Sequence, residues 1–356
     1  MTDHQAKRSY SQVGKGAMLS VVRKLDPRRS SPAGDVDGGG APTYKARSFS
    51  DLPTYGSIVK HREFADRFRI DNPFYKVHEG HSGATTIIDG KEHINFASYD
   101  YLGLNQHPNV SAAAKAAIDQ YGTSVSASRI VAGERPLHRE LEQEIAKFYG
   151  LDDAIIYVSG HGTNVSTIGE LMGQGDMIIY DELIHNSALV GAQLSGAKSF
   201  TFRHNRLDQL EKVLRDNRGN YKNALIVVEG LYSMDGDYPD LPEIIELKER
   251  YGAWLMVDEA HSLGVMGKTG RGLAEHFDID PKTVDIWMGT LSKTLGACGG
   301  YITGSQELIE ILKTFGPETV QVSVNPMDSK SPIDIQEEGA TQTQADVDRL
   351  LDELGY

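Results

Sequence analysis

The sequence predicts an α/β fold in which helices cover both faces of a mostly parallel sheet. Two observations carry that expectation. From about residue 106 to 315, short apolar segments alternate with longer segments of helical periodicity, the pattern of strands joined by crossover helices. One of the short segments, Ala224 to Val228, is apolar throughout, with Ile226, Val227 and Val228 β-branched in a row, as a strand buried on both faces requires.

The elements follow in order. Val59 to Phe68 has helical periodicity. Thr85–Ile88 and His93–Phe96 read as two strands around the Asp89-Gly90 turn. Helices are expected over Asn109–Tyr121 and Pro136–Tyr149. Ala154–Val158 reads as a strand, Asn164–Met172 as a helix, Met177–Tyr180 as a strand, Ser187–Ser195 as a helix and Ser199–Phe202 as a strand. Asn205 is the expected cap of a helix whose Leu207, Leu210, Val213 and Leu214 share a face. Pro242 opens a helix carrying Ile244, Ile245 and Leu247. Trp254–Val257 and Val284–Met288 complete the strands.

Outside this stretch the composition shifts. Residues 1–55 read as a flexible N-terminal extension, basic where the rest is acidic, with a Gly-rich linker over Asp35–Thr43 and a short amphipathic turn at Val21 to Lys24. Residues 56–105 lead into the core, 106–315 form it, and 316–356 read as an acidic tail with a short helix over Gln344–Leu354. The net charge of −14 argues against general nucleic-acid binding, which needs a basic surface. A single cysteine, Cys298, excludes an intrachain disulfide and suits a reducing compartment. No apolar run approaches the ~20 residues of a membrane span, and no secretory signal is evident, so the expected location is the cytoplasm.

The chemistry gathers in five loops, each following an apolar strand. Thr290-Leu291-Ser292-Lys293 leads into the small residues Gly296 to Gly300, which permit close backbone approach. A lysine in such surroundings is a candidate Schiff-base amine, because desolvation lowers its pKa; a lone lysine, without the other loops, reads far more readily as a solvated side chain. Asp258 closes a buried strand and is followed by His261; alone, such an aspartate is as often a helix cap. Ser159-Gly160-His161-Gly162 lies between strand and helix, where backbone N–H groups are free for a phosphate. Asp181 to Ser187 brings His185, and Glu229 to Gly236 brings the hydroxyl of Ser233. His78, His81 and His93 lack a helical i,i+4 pair and a cysteine, so no metal site is expected.

Together these loops resemble the α-oxoamine synthase family of fold-type-I pyridoxal-phosphate enzymes. The resemblance runs from about Asn72 to Lys313. It rests on VDEAHSLGVMGKTGRG (257–272) and GTLSKTLGACGGYI (289–302), with NFASYDYLGL (95–104) and YGTSVSASR (121–129). The wording EGLYSMDGD and DELIHNS is most similar to serine palmitoyltransferases and to related domains linked to polyketide synthases. The resemblance implies a pyridoxal 5'-phosphate cofactor and a homodimer or heterodimer. It implies an acyltransferase that joins glycine, alanine or serine to an acyl thioester, on coenzyme A or an acyl carrier protein, with loss of carbon dioxide. Other activities that remain open are an aminotransferase of the same fold and a catalytically incomplete partner subunit. By position, Lys293 would hold the cofactor and move a proton at the substrate Cα. Asp258 would pair with the ring nitrogen and His261 with the ring oxygen. His185 would stack on the ring. Gly160 and His161 would offer N–H groups, and Thr290 and Ser233 hydroxyls. The family's smaller C-terminal domain, which supplies an arginine for the substrate carboxylate, has no resemblance in 317–356, where Arg349 is the only arginine. A truncated or altered member, or one completed by another chain, is the expectation.

Overall fold

The computed structural model describes residues 48–72 and 74–316. Residues 1–47 of the N-terminal extension, including the linker and the Val21 turn, lie outside the described residues, as do 317–356 with the Gln344–Leu354 helix and Arg349. The chain divides into two units at Val77/His78. In the first, helix α1 (Pro53–Phe68) begins six residues before the expected Val59, because Pro53 sits in the first turn, where its missing N–H costs nothing. Arg69, in the left-handed conformation, ends it.

The second unit opens with an antiparallel hairpin, β1 (Thr85–Ile88) and β2 (Lys91–Ile94). Asp89 and Gly90 both have positive φ, 52° and 71°, so the turn has two residues and pairs Ile88 with Lys91. That register starts the second strand two residues before the expected His93.

Helices α2 (Pro108–Tyr121) and α3 (Pro136–Tyr149) lead to a seven-stranded sheet. Its strands are β3 (Asp153–Tyr157), β4 (Met177–Asp181), β5 (Lys198–Phe202), β6 (Ala224–Glu229), β7 (Trp254–Asp258), β8 (Ile286–Thr290) and β9 (Gly300–Gly304), in the order β3-β9-β8-β7-β6-β4-β5. Only β9 runs against its neighbours. The mostly parallel sheet and its helical cover agree with the sequence, but β9 was not foreseen.

The helices of this region with ten or more residues are α4 (Gly160–Leu171), α5 (Asn186–Ser195), α6 (Leu207–Asn217), α7 (Leu241–Tyr251) and α8 (Gln306–Phe315). Alternation along the strands divides the core. Ala224, Ile226 and Val228 of β6, with Leu255 and Val257 of β7, face Leu210 and Leu214 of α6 and Ile244 of α7. Leu225, Val227 and Met256 face the other way, with Ile168 of α4 and Ala188 of α5. Every residue of β6 is buried, and each such large apolar side chain contributes about 1.5–3 kcal/mol. This burial fixes the strands, and the strands aim their carboxyl ends at one edge.

Asn205 does not cap α6. It sits at φ 54°, and Arg206, which offers no side-chain cap, precedes the helix. Its N–H donates instead to Asp181 Oδ2 (2.9 Å) and its amide to Asp237 Oδ2 (3.2 Å). Helix α4 begins at Gly160, four residues before the expected Asn164, because Ser159 caps it by accepting from Gly162 N–H (3.0 Å). Among the described residues, no helix is long and apolar enough to cross a membrane.

Candidate active site

The carboxyl ends of β3, β4, β6, β7 and β8 place all five loops along one edge of the sheet. Lys293 lies in the loop after β8. Its Nζ donates to His261 Nε2 at 2.6 Å and stands 5.5 Å from the centre of the Tyr99 ring. Burial holds the Lys293 amine below its usual range, while Asp258 and Glu229 pull the other way. The loop is braced from within. The Thr290 hydroxyl donates to the Gly299 carbonyl (3.0 Å) and meets Ser292 Oγ (2.8 Å). Thr290 is buried, so the structure commits its hydroxyl to holding the Lys293 loop closed. The small residues of the loop admit other backbone: a Cβ on Gly300 would stand 2.8 Å from Gly160 Cα, and one on Gly296 3.1 Å from Asn105 N.

His261 lies between the lysine and a tyrosine. Burial, then the Lys293 charge, then His185, push its imidazole down to about 4, so it is neutral. With Nε2 accepting from Lys293, Nδ1 carries the proton and donates to the Tyr101 phenol at 2.7 Å. Tyr99 approaches the His261 ring edge-on, with centroids 5.8 Å apart.

Asp258 is buried at the end of β7. Oδ1 accepts from Ala260 N–H (2.9 Å) and Oδ2 from Asn164 Nδ2 (2.8 Å). Asn164, on the inner face of α4, also donates to Ser187 Oγ at 2.9 Å. The Ser187 hydroxyl therefore turns its own proton toward His185 Nδ1, 2.7 Å away. Its Nδ1 being an acceptor, a neutral His185 carries its proton on Nε2. Burial lowers the His185 pKa, which favours the neutral form. One unbroken relay thus joins Asp258 to His185 through Asn164 and Ser187. Replacing Asn164 with alanine breaks it at the centre. Losing one buried bond to a charged group, worth about 1.5–3 kcal/mol, is expected to weaken ligand binding at this site by about 10- to 100-fold in an absorbance or quenching titration.

Gly160 and His161 are the first two residues of α4, and the helix itself supplies no acceptor for their N–H groups. The His161 ring meets that of His185 edge-on, 6.2 Å between centroids. Ser233 is exposed in the loop after β6. The structure therefore brings Lys293, His261 and Asp258 together with His185, with the α4 N-terminus beside them. It adds Asn164, Ser187, Tyr101 and Glu229, which sequence reasoning left unassigned. Glu229 had the same signal as Asp258, a carboxylate closing a buried strand. Asn164 stood in a polar run, Thr163 to Thr167, on a helix with a buried face.

At the same edge His204 clasps two loops. Nδ1 donates to Asp181 Oδ1 and Nε2 to Asp237 Oδ2, each at 2.9 Å. Although burial opposes it, these two carboxylates raise the His204 pKa. The folded value lies above the unfolded one, so the clasp stabilises fully below about pH 6.5 and weakens as pH rises through the folded pKa. His204→Gln is expected to cost about 1–2 kcal/mol at pH 6, less than for a sealed pair because Asp237 is half exposed, and less again at pH 9. Urea midpoints at the two pH values check this.

The aminotransferase class I and II family model matches residues 91–348. An 8-amino-7-oxononanoate synthase of Alkaliphilus metalliredigens is 40% identical over 279 residues, covering 78% of this chain and 70% of that protein. One from Thermoanaerobacter pseudethanolicus is 42% identical over 238 residues, with 67% and 60% covered. The solved structure of Sphingomonas wittichii serine palmitoyltransferase superposes with a TM-score of 0.73 at 31% identity, covering 78% of this chain and 68% of that one. The chain spans about two thirds of the length of the curated relatives it matches. The family model, the curated relatives and the solved structure place the chain in the aminotransferase class I and II family, in its α-oxoamine synthase branch.

Proposed function

We propose that this chain binds pyridoxal 5'-phosphate at Lys293 and condenses a small amino acid (glycine, alanine or serine) with an acyl thioester on coenzyme A or a carrier protein, releasing carbon dioxide. The observation that carries the reading is the pairing of a desolvated lysine amine with a buried carboxylate at one sheet edge. Asp258 fits the cofactor on its own evidence. Among the described residues it forms no ion pair, yet it is buried, and a buried carboxylate needs a cation to offset its lost hydration. A protonated pyridine nitrogen would supply that cation. Asp258 and Lys293 would hold the cofactor, with His261 at its ring oxygen, His185 on its ring face, Gly160 and His161 N–H groups toward its phosphate, and Ser233 at the rim.

Bound there, the cofactor supplies an electron sink for negative charge at the substrate Cα. The chain's residues do the rest. Lys293, its pKa lowered by burial, takes the Cα proton as a neutral amine. His261 Nε2 orients that amine. His185 presents its Nε2–H to the substrate carboxylate. A bond forms between Cα and the thioester carbonyl carbon as the carbon–sulfur bond breaks and the sulfur leaves as thiolate. The carboxylate then departs as carbon dioxide and the proton held by Lys293 returns to Cα, giving an α-amino ketone.

The test is direct. The chain is mixed with the cofactor and the absorbance spectrum recorded, then small amino acids are paired with acyl thioesters. Carbon dioxide and free thiol released in equal amounts support the reading. Exchange of amino groups with keto acids, independent of thioester, would favour an aminotransferase. A cofactor band with no carbon dioxide from any pair refutes condensation by this chain alone.

A further inference from the structure

Glu229 closes β6 and pairs in register with Asp258 at the end of β7. Register partners on parallel strands project to the same face of a sheet. That face is the one lined by Leu225, Val227 and Met256 and covered by α4 and α5. So two carboxyl groups stand side by side, and both are buried, with 4% and 5% of their surface exposed. The main chain fixes the two strand ends together, since Gly230 N–H donates to the Asp258 carbonyl at 2.8 Å. The Glu229 carboxyl also faces the backbone N–H groups of His185 and Ser233. It therefore touches the loops after β4 and β6 while flanking Asp258. The reaction outlined above gives it no part.

Two buried carboxylates in such a position do not both stay ionised, because burial strips their hydration, their charges repel, and Lys293 offers the pair a single cation. Asp258 has the Asn164 amide and the Ala260 N–H on its two oxygens, and it faces the lysine side of the site. Burial first, and Asp258 second, push the Glu229 carboxyl up, against the pull of the two N–H groups and Lys293. The groups facing it are thus Asp258 from β7, Lys293 from the loop after β8, the buried Tyr232 from the loop after β6, and the main chain at His185 and Ser233.

We propose that Glu229 is a positioning residue of the cofactor site: its buried carboxyl flanks Asp258 and ties the His185 turn and the Ser233 loop to the end of β6. The inference rests on the cofactor reading above.

Glu229→Gln and Glu229→Ala test it in the full chain. Cofactor affinity is read by absorbance titration, together with the pH midpoint of the visible band. Glutamine keeps a neutral side chain of the same shape, so its affinity at pH 7 is expected within about threefold of the parent. Alanine removes the tie and is expected to weaken binding by about 10- to 100-fold. In Glu229→Gln the band midpoint moves to lower pH, because the parent gains a negative charge beside the site as Glu229 ionises on the alkaline side. A merely structural side chain leaves that midpoint where it was.

Glutamine as damaging as alanine would overturn the proposal, since it means that a charge is needed at this position. So would an unmoved midpoint in Glu229→Gln, or parental affinity in Glu229→Ala. If the alanine variant fails to fold by circular dichroism, the glutamine arm decides alone. A parent chain that shows no band refutes the cofactor reading instead, and the two failures are thereby distinguished.

Discussion

Lys293→Ala is expected to lose the visible absorbance band and turnover together while still folding and retaining the cofactor by its other contacts. The reason lies in what one amine does here. In the proposed function it is both the nucleophile that attaches the cofactor and the base at Cα. Loss of proton transfer alone is worth about 10²- to 10⁴-fold in rate, and loss of covalent attachment adds to it. The environment prepares the amine for both tasks. Burial lowers its pKa, so more of it is neutral near pH 7 than of a solvated lysine. His261, itself neutral, accepts from Nζ rather than repelling it. The sign of the pH profile follows. Activity that needs the neutral amine rises with pH through the depressed lysine pKa. Rescue by added small amines would show that only the amine is missing. If Lys293→Ala kept both the band and the rate, the site would be misplaced, whatever the fold.

Much of this edge was legible in the sequence, and the reason is particular. Val227 and Val228 cannot be anything but buried, and a charged residue that closes such a run is conspicuous. Asp258, which closes Trp254 to Val257, was found in that way, and Lys293 by the small residues that follow it; their order along the chain fitted the family, whereas Glu229, which closes the Val227–Val228 run, went unassigned. What was missed sits where local pattern is silent. Strand β9 opens on Gly300, directly after Gly299, a pair that reads as loop; it is a strand because β8 and β3 flank it and take its hydrogen bonds. Helix α8 went unread although Ser305 caps it and Ile309 and Leu312 mark its buried face. Asn205 looked like a cap because it precedes a helical face, but Asp181 and Asp237 compete for its donors and hold it in the left-handed region. Asn164 and Ser187 matter only because α4 and α5 pack together on one face of the sheet, a tertiary fact. Ser159 extended α4 toward the sheet edge, and that extension is what puts Gly160 and His161 at a helix start rather than in a free loop.

Asp258→Asn carries the second large effect, and it separates charge from shape. Asparagine fills the same space, keeps an oxygen for either Ala260 N–H or Asn164, and leaves the core of β7 untouched. What it removes is the negative charge that the proposed site would set opposite the ring nitrogen. Truncating one partner of a buried, hydrogen-bonded charge pair costs about 2–5 kcal/mol, or roughly 30- to 5,000-fold in affinity. The rate should fall further than the affinity. An uncharged ring is a poorer electron sink, and the sink matters most when charge has moved off Cα. Cofactor titration and single-turnover release of carbon dioxide measure the two separately. The Asn164→Ala variant calibrates the result, because it leaves the Asp258 charge in place and removes only one donor and the link to His185. Asp258→Asn is therefore expected to lower the rate more than Asn164→Ala at saturating cofactor. Equal losses in the two variants would mean that Asp258 acts through its hydrogen bonds alone, and that the ring nitrogen is held elsewhere.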